Sequence, residues 1–401
     1  MQTRLLEQFR QTEDGQQAEQ ILRSCVHCGF CTATCPTYQL LGDELDGPRG
    51  RIYQIKQVLE GQQPTTRLQQ HLDRCLTCRS CETTCPSGVQ YARLLDIGRA
   101  YVEQHTSRPW SQQLLRRVLR LLLPYPKRFA PLLAIGRSLQ PLLPQSMQNK
   151  IPPRADNIAW SNLPQQRRLL VLQGCVQSVA TPDTNALASQ VFAKLGYELI
   201  EAEQAGCCGA VSAHLSATDE ARQFMRRNID AWWPHVEQGV DGILATASGC
   251  GLMLHEYGDM LADDALYADK ARRIAELVKD PAEILASANL ALLNIHGNAR
   301  RIAFHAPCTL QHGLKQQGVV ENILAGLGFE LVEVKDSHLC CGSAGTYSIL
   351  QSELSQQLLH NKVDALLDGQ PEVIVTANVG CQLHLQSGSR IPVKHWLSLL
   401  V

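Results

Sequence analysis

At 401 residues the chain is too long for one ordinary domain, and with 44% hydrophobic residues it can bury more than one core, which excludes long-range disorder. A net charge of −1 gives no sign of a nucleic-acid partner, and no uncharged apolar run reaches the roughly eighteen residues of a membrane span. Sixteen cysteines follow a polar start, MQTRLLEQFRQTEDGQQ, with no signal-peptide core; this points to a reducing, cytoplasmic setting in which thiols act as ligands rather than disulfides.

The first elements are two copies of one run, Cys25-x-x-Cys28-x-x-Cys31-x-x-x-Cys35-Pro36 and Cys75-x-x-Cys78-x-x-Cys81-x-x-x-Cys85-Pro86. This is the bacterial spacing for [4Fe–4S] clusters, in which three close thiolates hold one cube and the fourth cysteine ligates the other cluster. It predicts two clusters with crossed ligation. Cys25, Cys28, Cys31 and Cys85 would hold one, and Cys35, Cys75, Cys78 and Cys81 the other. Structural zinc would need only four ligands in a closed tetrahedron and would leave the third cysteine of each run and the Cys-Pro endings without a role. His27 lies inside the first loop, where a hydrogen bond can tune a cluster.

Next comes a connector, residues 106–165. From Gln104 to Ala155 there is no acidic residue and there are nine Lys or Arg, so the rest of the chain carries −10. Leu114, Leu115, Val118, Leu119, Leu121 and Leu122 fall on one helical face with Arg116, Arg117 and Arg120 opposite. Such a helix can pack its leucines on its own domain, dock on an acidic partner, or lie on an anionic membrane surface. The prolines after it predict only short pieces up to the next domain.

The remaining eight cysteines repeat. Cys175, Cys207, Cys208 and Cys250 recur as Cys308, Cys340, Cys341 and Cys381, at offsets of 133, 133, 133 and 131 residues. AGCCGAVSAH returns as HLCCGSAGTY, and ATASGCGLML as VTANVGCQLHL. Duplication about a pseudo-twofold axis is the simplest account. Each module alternates strands (RRLLVLQG, YELIEAE, GILATAS; then RIAFHAP, FELVEVKD, PEVIVTA) with helical stretches, which predicts parallel sheets. The fold expected is therefore α+β and multidomain: a helical two-[4Fe–4S] domain over 1–105, the connector over 106–165, and α/β modules over 166–290 and 291–401. Since each cysteine element follows a strand end, the four in each module should converge. They could hold an iron–sulfur centre or a zinc ion, act as redox thiols, or be buried small hydrophobes. His305, His338 and His384 lie within three residues of module cysteines, and His384 stands where the second cysteine of a C-x-x-C would fall.

No dinucleotide-binding, phosphate-loop, zinc-protease or serine-hydrolase motif is present, so no catalytic residue is predicted. Two ferredoxin runs, a connector and two C…CCG…C modules resemble the iron–sulfur subunits of glycolate oxidases (glycolate dehydrogenases). The likeness runs through GDELDGPRGR, NIDAWWP and DSHLCCGSAGTY. It implies FAD-containing partner subunits that oxidise glycolate to glyoxylate, a hetero-oligomeric complex, and electron relay toward membrane quinone with peripheral attachment to the inner membrane. It also implies a ferredoxin domain of the succinate dehydrogenase type, with the eight N-terminal cysteines as its ligands. The equivalent subunit of a lactate or glycerol-3-phosphate dehydrogenase is an alternative, as is a heterodisulfide-reductase-like thiol–disulfide reductase. Heterodisulfide reductase relatives end their motif in C-x-x-C, five cysteines holding a non-cubane cluster. Here the endings are Cys250-Gly251-Leu252-Met253 and Cys381-Gln382-Leu383-His384, each without the fifth thiolate.

Overall fold

Up to His105 every regular element is helical, and from Arg167 onward helices alternate with strands. The computed structural model describes residues 1–144, 148–161, 163–297 and 300–401. Its chain divides into two units, residues 1–117 with 338–358, and residues 118–337 with 359–401.

In the first unit, the helix Glu13–Ser24 opens on Thr12, whose side chain accepts the Gly15 N–H, and turns Ala18, Ile21 and Leu22 inward. The helices Pro48–Leu59 and Tyr91–His105 add Ile55, Leu59, Leu94 and Leu95, all essentially inaccessible to solvent. Burying each such side chain contributes about 1.5–3 kcal/mol. Gly98 sets the helix spacing, because a Cβ there would stand 2.7 Å from Ile55 Cγ1. The inserted segment 338–358 carries Tyr347, whose hydroxyl donates to the Arg74 carbonyl at 3.1 Å.

The second unit holds two four-stranded parallel sheets of one topology. The first comprises β1 (Arg167–Val171), β2 (Tyr197–Glu201), β3 (Gly242–Leu244) and β4 (Val278–Lys279), in the order β2-β1-β3-β4. The second comprises β5 (Arg301–His305), β6 (Glu330–Leu331), β7 (Val373–Thr376) and β8 (Val393–His395), in the order β6-β5-β7-β8. The expected strands are all present. The fourth strand of each sheet escapes sequence reading because two or three residues at a sheet edge show no period. One hydrophobic core serves both sheets, with Leu169, Val171 and Phe192 packed among Phe304, Val375 and Trp396. Polar contacts join them too: the Ser248 N–H donates to the Ala377 carbonyl at 3.0 Å, and buried His395 Nε2 lies 2.9 Å from the Thr246 carbonyl.

The connector departs from expectation twice. It is not broken into short pieces: the helices Trp110–Leu122 and Pro126–Leu139 are both long. Pro126 opens the second at its first position, where no N–H is needed, and Pro131 is accommodated inside it on the exposed side. Nor does the whole leucine face pack inward. Leu119 is buried, but Leu114, Leu115, Val118 and Leu121 remain exposed, while the arginines are the engaged face. Arg116 pairs with Asp73 at 3.1 Å and Arg120 with Glu220 at 3.7 Å.

Candidate metal centres

The two cysteine runs of the first unit adopt the same backbone. His27 and Gly29 have positive φ (57° and 89°), and so do Thr77 and Arg79 fifty residues on (53° and 61°). Left-handed residues at alternate positions turn successive N–H groups toward a common point, the geometry of an anion-binding nest; the Thr77 N–H thereby reaches Cys75 Sγ at 3.4 Å. A four-residue helix follows each loop, Phe30–Ala33 and Ser80–Thr83. These lie side by side, with Thr34 Oγ1 donating to the Ser80 carbonyl and Thr84 Oγ1 to Thr34 Oγ1. This packing delivers each run's last cysteine to the other loop. Cys25, Cys28, Cys31 and Cys85 line one cleft of about 430 Å³, and Cys35, Cys75, Cys78 and Cys81 line another of about 360 Å³.

The donor set fits an iron–sulfur group. Neither cleft is lined by a carboxylate, and four sulfurs around a space of this size suit a polynuclear centre better than a single ion. Burial, then the Cys25 and Cys28 sulfurs, pushes the Cys31 thiol up to about 11, and burial with Cys78 and Cys75 raises Cys81 far above the usual thiol range. Four such thiols ionise together only around a cation.

Side chains that sequence reasoning did not single out complete the surroundings. Pro48 touches both clefts, Arg49 lines the first and Arg51 the second. Arg51 is fully buried and donates to the His71 carbonyl (2.8 Å), Thr37 Oγ1 (3.1 Å) and Asp46 Oδ1 (3.3 Å). Burial opposes its charge, but the Cys75, Tyr91, Cys35 and Asp46 groups outweigh this and raise its pKa. Tyr91 directs its hydroxyl at Cys75 Sγ, 3.7 Å away, and Arg99 clamps the second loop through the Leu72 and Cys75 carbonyls and Thr77 Oγ1. The phrase GPRGR carried these arginines, yet nothing in its spacing marks one as buried. His27 sits at the first cleft, with its pKa lowered by burial and then by Arg49.

In the first module the predicted convergence is seen. Cys175 follows β1, Cys207 and Cys208 follow β2, and Cys250 lies on the helix Ser248–His255 after β3. Their thiols form a hydrogen-bonded chain in which Cys207 accepts from Cys175 and Cys208, and Cys208 also meets Cys250. Those bonds, with the Gly209 N–H and the Arg227 charge, hold Cys207 well below the ordinary thiol pKa, while Cys175 and Cys208 are raised. Gly209 is left-handed (φ 95°) and a Cβ on it would press the Ala221 carbonyl at 3.1 Å, so the residue after the cysteine pair must be glycine. Buried Asn228 and Tyr257 fix the pair's carbonyls: Asn228 Nδ2 donates to Cys207 O and Tyr257 Oη to Cys208 O, both at 2.9 Å.

In the second module Cys308 follows β5 and Cys381 lies on the helix Val379–Gly388, both in the second unit. Cys340 and Cys341 belong to segment 338–358 of the first unit; there the Gly342 N–H donates to Cys340 Sγ at 3.4 Å, repeating the Gly209–Cys207 bond. Of the three flagged histidines, His305 ends β5 with 2% exposure, and burial holds its pKa down to about 3, so it is neutral. His384 is half-buried on the helix of Cys381, and His338 opens the inserted segment.

Comparison with known proteins agrees with this layout. Residues 21–89 match the model of the 4Fe-4S dicluster domain, and residues 169–255 and 302–386 each match that of the cysteine-rich (CCG) domain. The chain is 54% identical to the glycolate oxidase iron–sulfur subunit of Escherichia coli over 403 aligned positions, covering 100% of this chain and 98% of that protein. It is 27% identical to the probable glycolate oxidase iron–sulfur subunit of Bacillus subtilis, over 92% and 89% of the two chains. Lactate utilization protein A of Bacillus subtilis aligns at 22% identity with only 53% of this chain. The N-terminal ferredoxin domain and the duplicated CCG modules read from the cysteine spacing are therefore present.

Proposed function

This chain belongs to the family of glycolate oxidase iron–sulfur subunits, and from that membership we propose that it relays single electrons from FAD-containing subunits, which oxidise glycolate to glyoxylate, toward a quinone acceptor. The observation that carries the reading is the exchange of cysteines, with Cys85 at the first cleft and Cys35 at the second. Cys25, Cys28, Cys31 and Cys85 would hold one [4Fe–4S] cluster, and Cys35, Cys75, Cys78 and Cys81 the other. Bound there, the clusters supply one-electron carriers. The protein's part is to hold them close together in a dry interior and set their potentials, through Arg51, Arg49, the Tyr91 hydroxyl and the loop N–H groups.

The oxidation of glycolate itself belongs to the flavin partners, and no substrate site is proposed on this chain. Residues 1–105 form the relay, 106–165 the connector and 166–290 and 291–401 the two modules, in a hetero-oligomer attached peripherally to the membrane on its cytoplasmic side. No helix among the described residues is long and apolar enough to cross a membrane.

The test is anaerobic co-purification with the flavin subunits. At least about eight irons per chain are expected, matching two cubanes, with the cluster absorbance bleached by glycolate and restored by a quinone analogue. Iron well below that value overturns the cluster assignment, and clusters that glycolate leaves oxidised overturn the substrate.

A further inference from the structure

The two modules differ at one place that the cysteine repeat does not reveal. His305 closes β5, and 133 residues earlier, at the matching end of β1, the chain has Leu172. An apolar side chain in one module is thus an imidazole in the other. Parallel pairing of β5 and β7 sets His305 opposite Thr376, and Nδ1 lies 3.0 Å from the Thr376 hydroxyl. The other ring nitrogen, Nε2, is buried and has no hydrogen-bond partner. A ring nitrogen of His305 also lies within 4.8 Å of Cys381 Sγ. That sulfur in turn receives the side-chain amide of Asn378 at 3.7 Å, and Cys308 follows His305 by three residues.

A core histidine kept for packing would have both nitrogens satisfied. One whose Nδ1–H is anchored on an oxygen, leaving a bare Nε2 beside a thiol, has the arrangement of a metal ligand with its orienting partner. We propose that His305, through Nε2, is a nitrogen ligand of a thiolate-held transition-metal centre in the second module, so that the two modules carry unlike sites. Nitrogen there stands in for the fifth thiolate that neither module has. Where the metal is iron–sulfur, imidazole in place of thiolate raises its potential above an all-thiolate centre. Thr376 acts as a positioning residue through the ring. This inference does not depend on glycolate being the substrate.

The experiment uses the full chain in its complex, purified anaerobically from cells grown on ¹⁵N-histidine, in a His27→Asn background so that the first loop contributes no imidazole signal. Pulsed EPR of the reduced protein, or absorption spectroscopy at the zinc edge if zinc is the metal, reads the ligand atoms. Expected is a histidine nitrogen on a centre beyond the two cubanes, lost in His305→Asn and kept in His384→Asn. Thr376→Val should weaken retention of that metal by about 10–100-fold while the N-terminal cluster signals persist. Metal limited to about eight irons with no zinc overturns the proposal, as does a nitrogen signature unchanged in His305→Asn. If His305→Asn fails to fold, the labelled protein with His305 intact still decides, since no histidine nitrogen on any centre refutes it. Loss of the cubane signals in every sample would count against the relay instead.

Discussion

The two cysteine loops of the first unit share a backbone but not surroundings. Around the first, Cys28 is exposed, and Val26 and Phe30 are 67% and 60% accessible. The residues fifty positions later, Leu76 and Ser80, are 6% and 1% accessible, and Arg51, Tyr91 and Arg99 close over that loop. Spacing therefore fixes what the loops bind, while neighbours far away in sequence fix what each bound group can do. The open loop suits exchange with a partner, and the enclosed one suits internal transfer at a potential set by the protein.

The strongest way to break this comparison is to exchange a ligand. Cys85→Ser should remove the cluster of the first loop, and Cys35→Ser that of the second, each at a loss of about four irons; EPR of each variant decides, and damage to a mutated residue's own loop would overturn the crossing. Arg51→Met should come next. Leaving Asp46 buried with one fewer partner costs about 3 kcal/mol or more in denaturant unfolding, and losing the cation should lower the potential of the second cluster more than that of the first. Tyr91→Phe keeps the shape and removes one hydroxyl, so a stability change of about 1 kcal/mol or less should accompany a smaller shift of the same sign, read by redox titration. The double change Val26→Ser and Phe30→Ser should leave stability within about 0.5 kcal/mol and both potentials unmoved, yet slow electron exchange with the partner in stopped-flow mixing. Potentials that move instead would mean that the exposed loop tunes its centre as the enclosed loop does.

What could be read in the sequence was whatever depends on short-range spacing. The crossed runs, the 133-residue repeat and the strands flanking each module cysteine all follow from local rules. What could not be read depends on tertiary neighbours. Arg51 looks like any helical arginine until Asp46, Thr37 and the His71 carbonyl surround it. His384 has the better spacing to be a ligand, whereas His305 reaches Cys381 only because β5 pairs with β7. The connector misled for a related reason. Its leucine face is amphipathic by pattern, but Asp73 and Glu220 recruit the arginine face instead.

One feature of the chain path bears on biogenesis. The first unit is not finished at residue 117, because it also requires residues 338–358. On the ribosome those residues emerge roughly 240 positions later, a delay of about 10–50 s at ordinary synthesis rates. During that interval the cysteine loops are exposed without Tyr347, and the second unit is only part made. Cluster loading before release would act on an incomplete host, so the chain's own threading favours a maturation step in which iron–sulfur delivery waits for nearly the whole polypeptide.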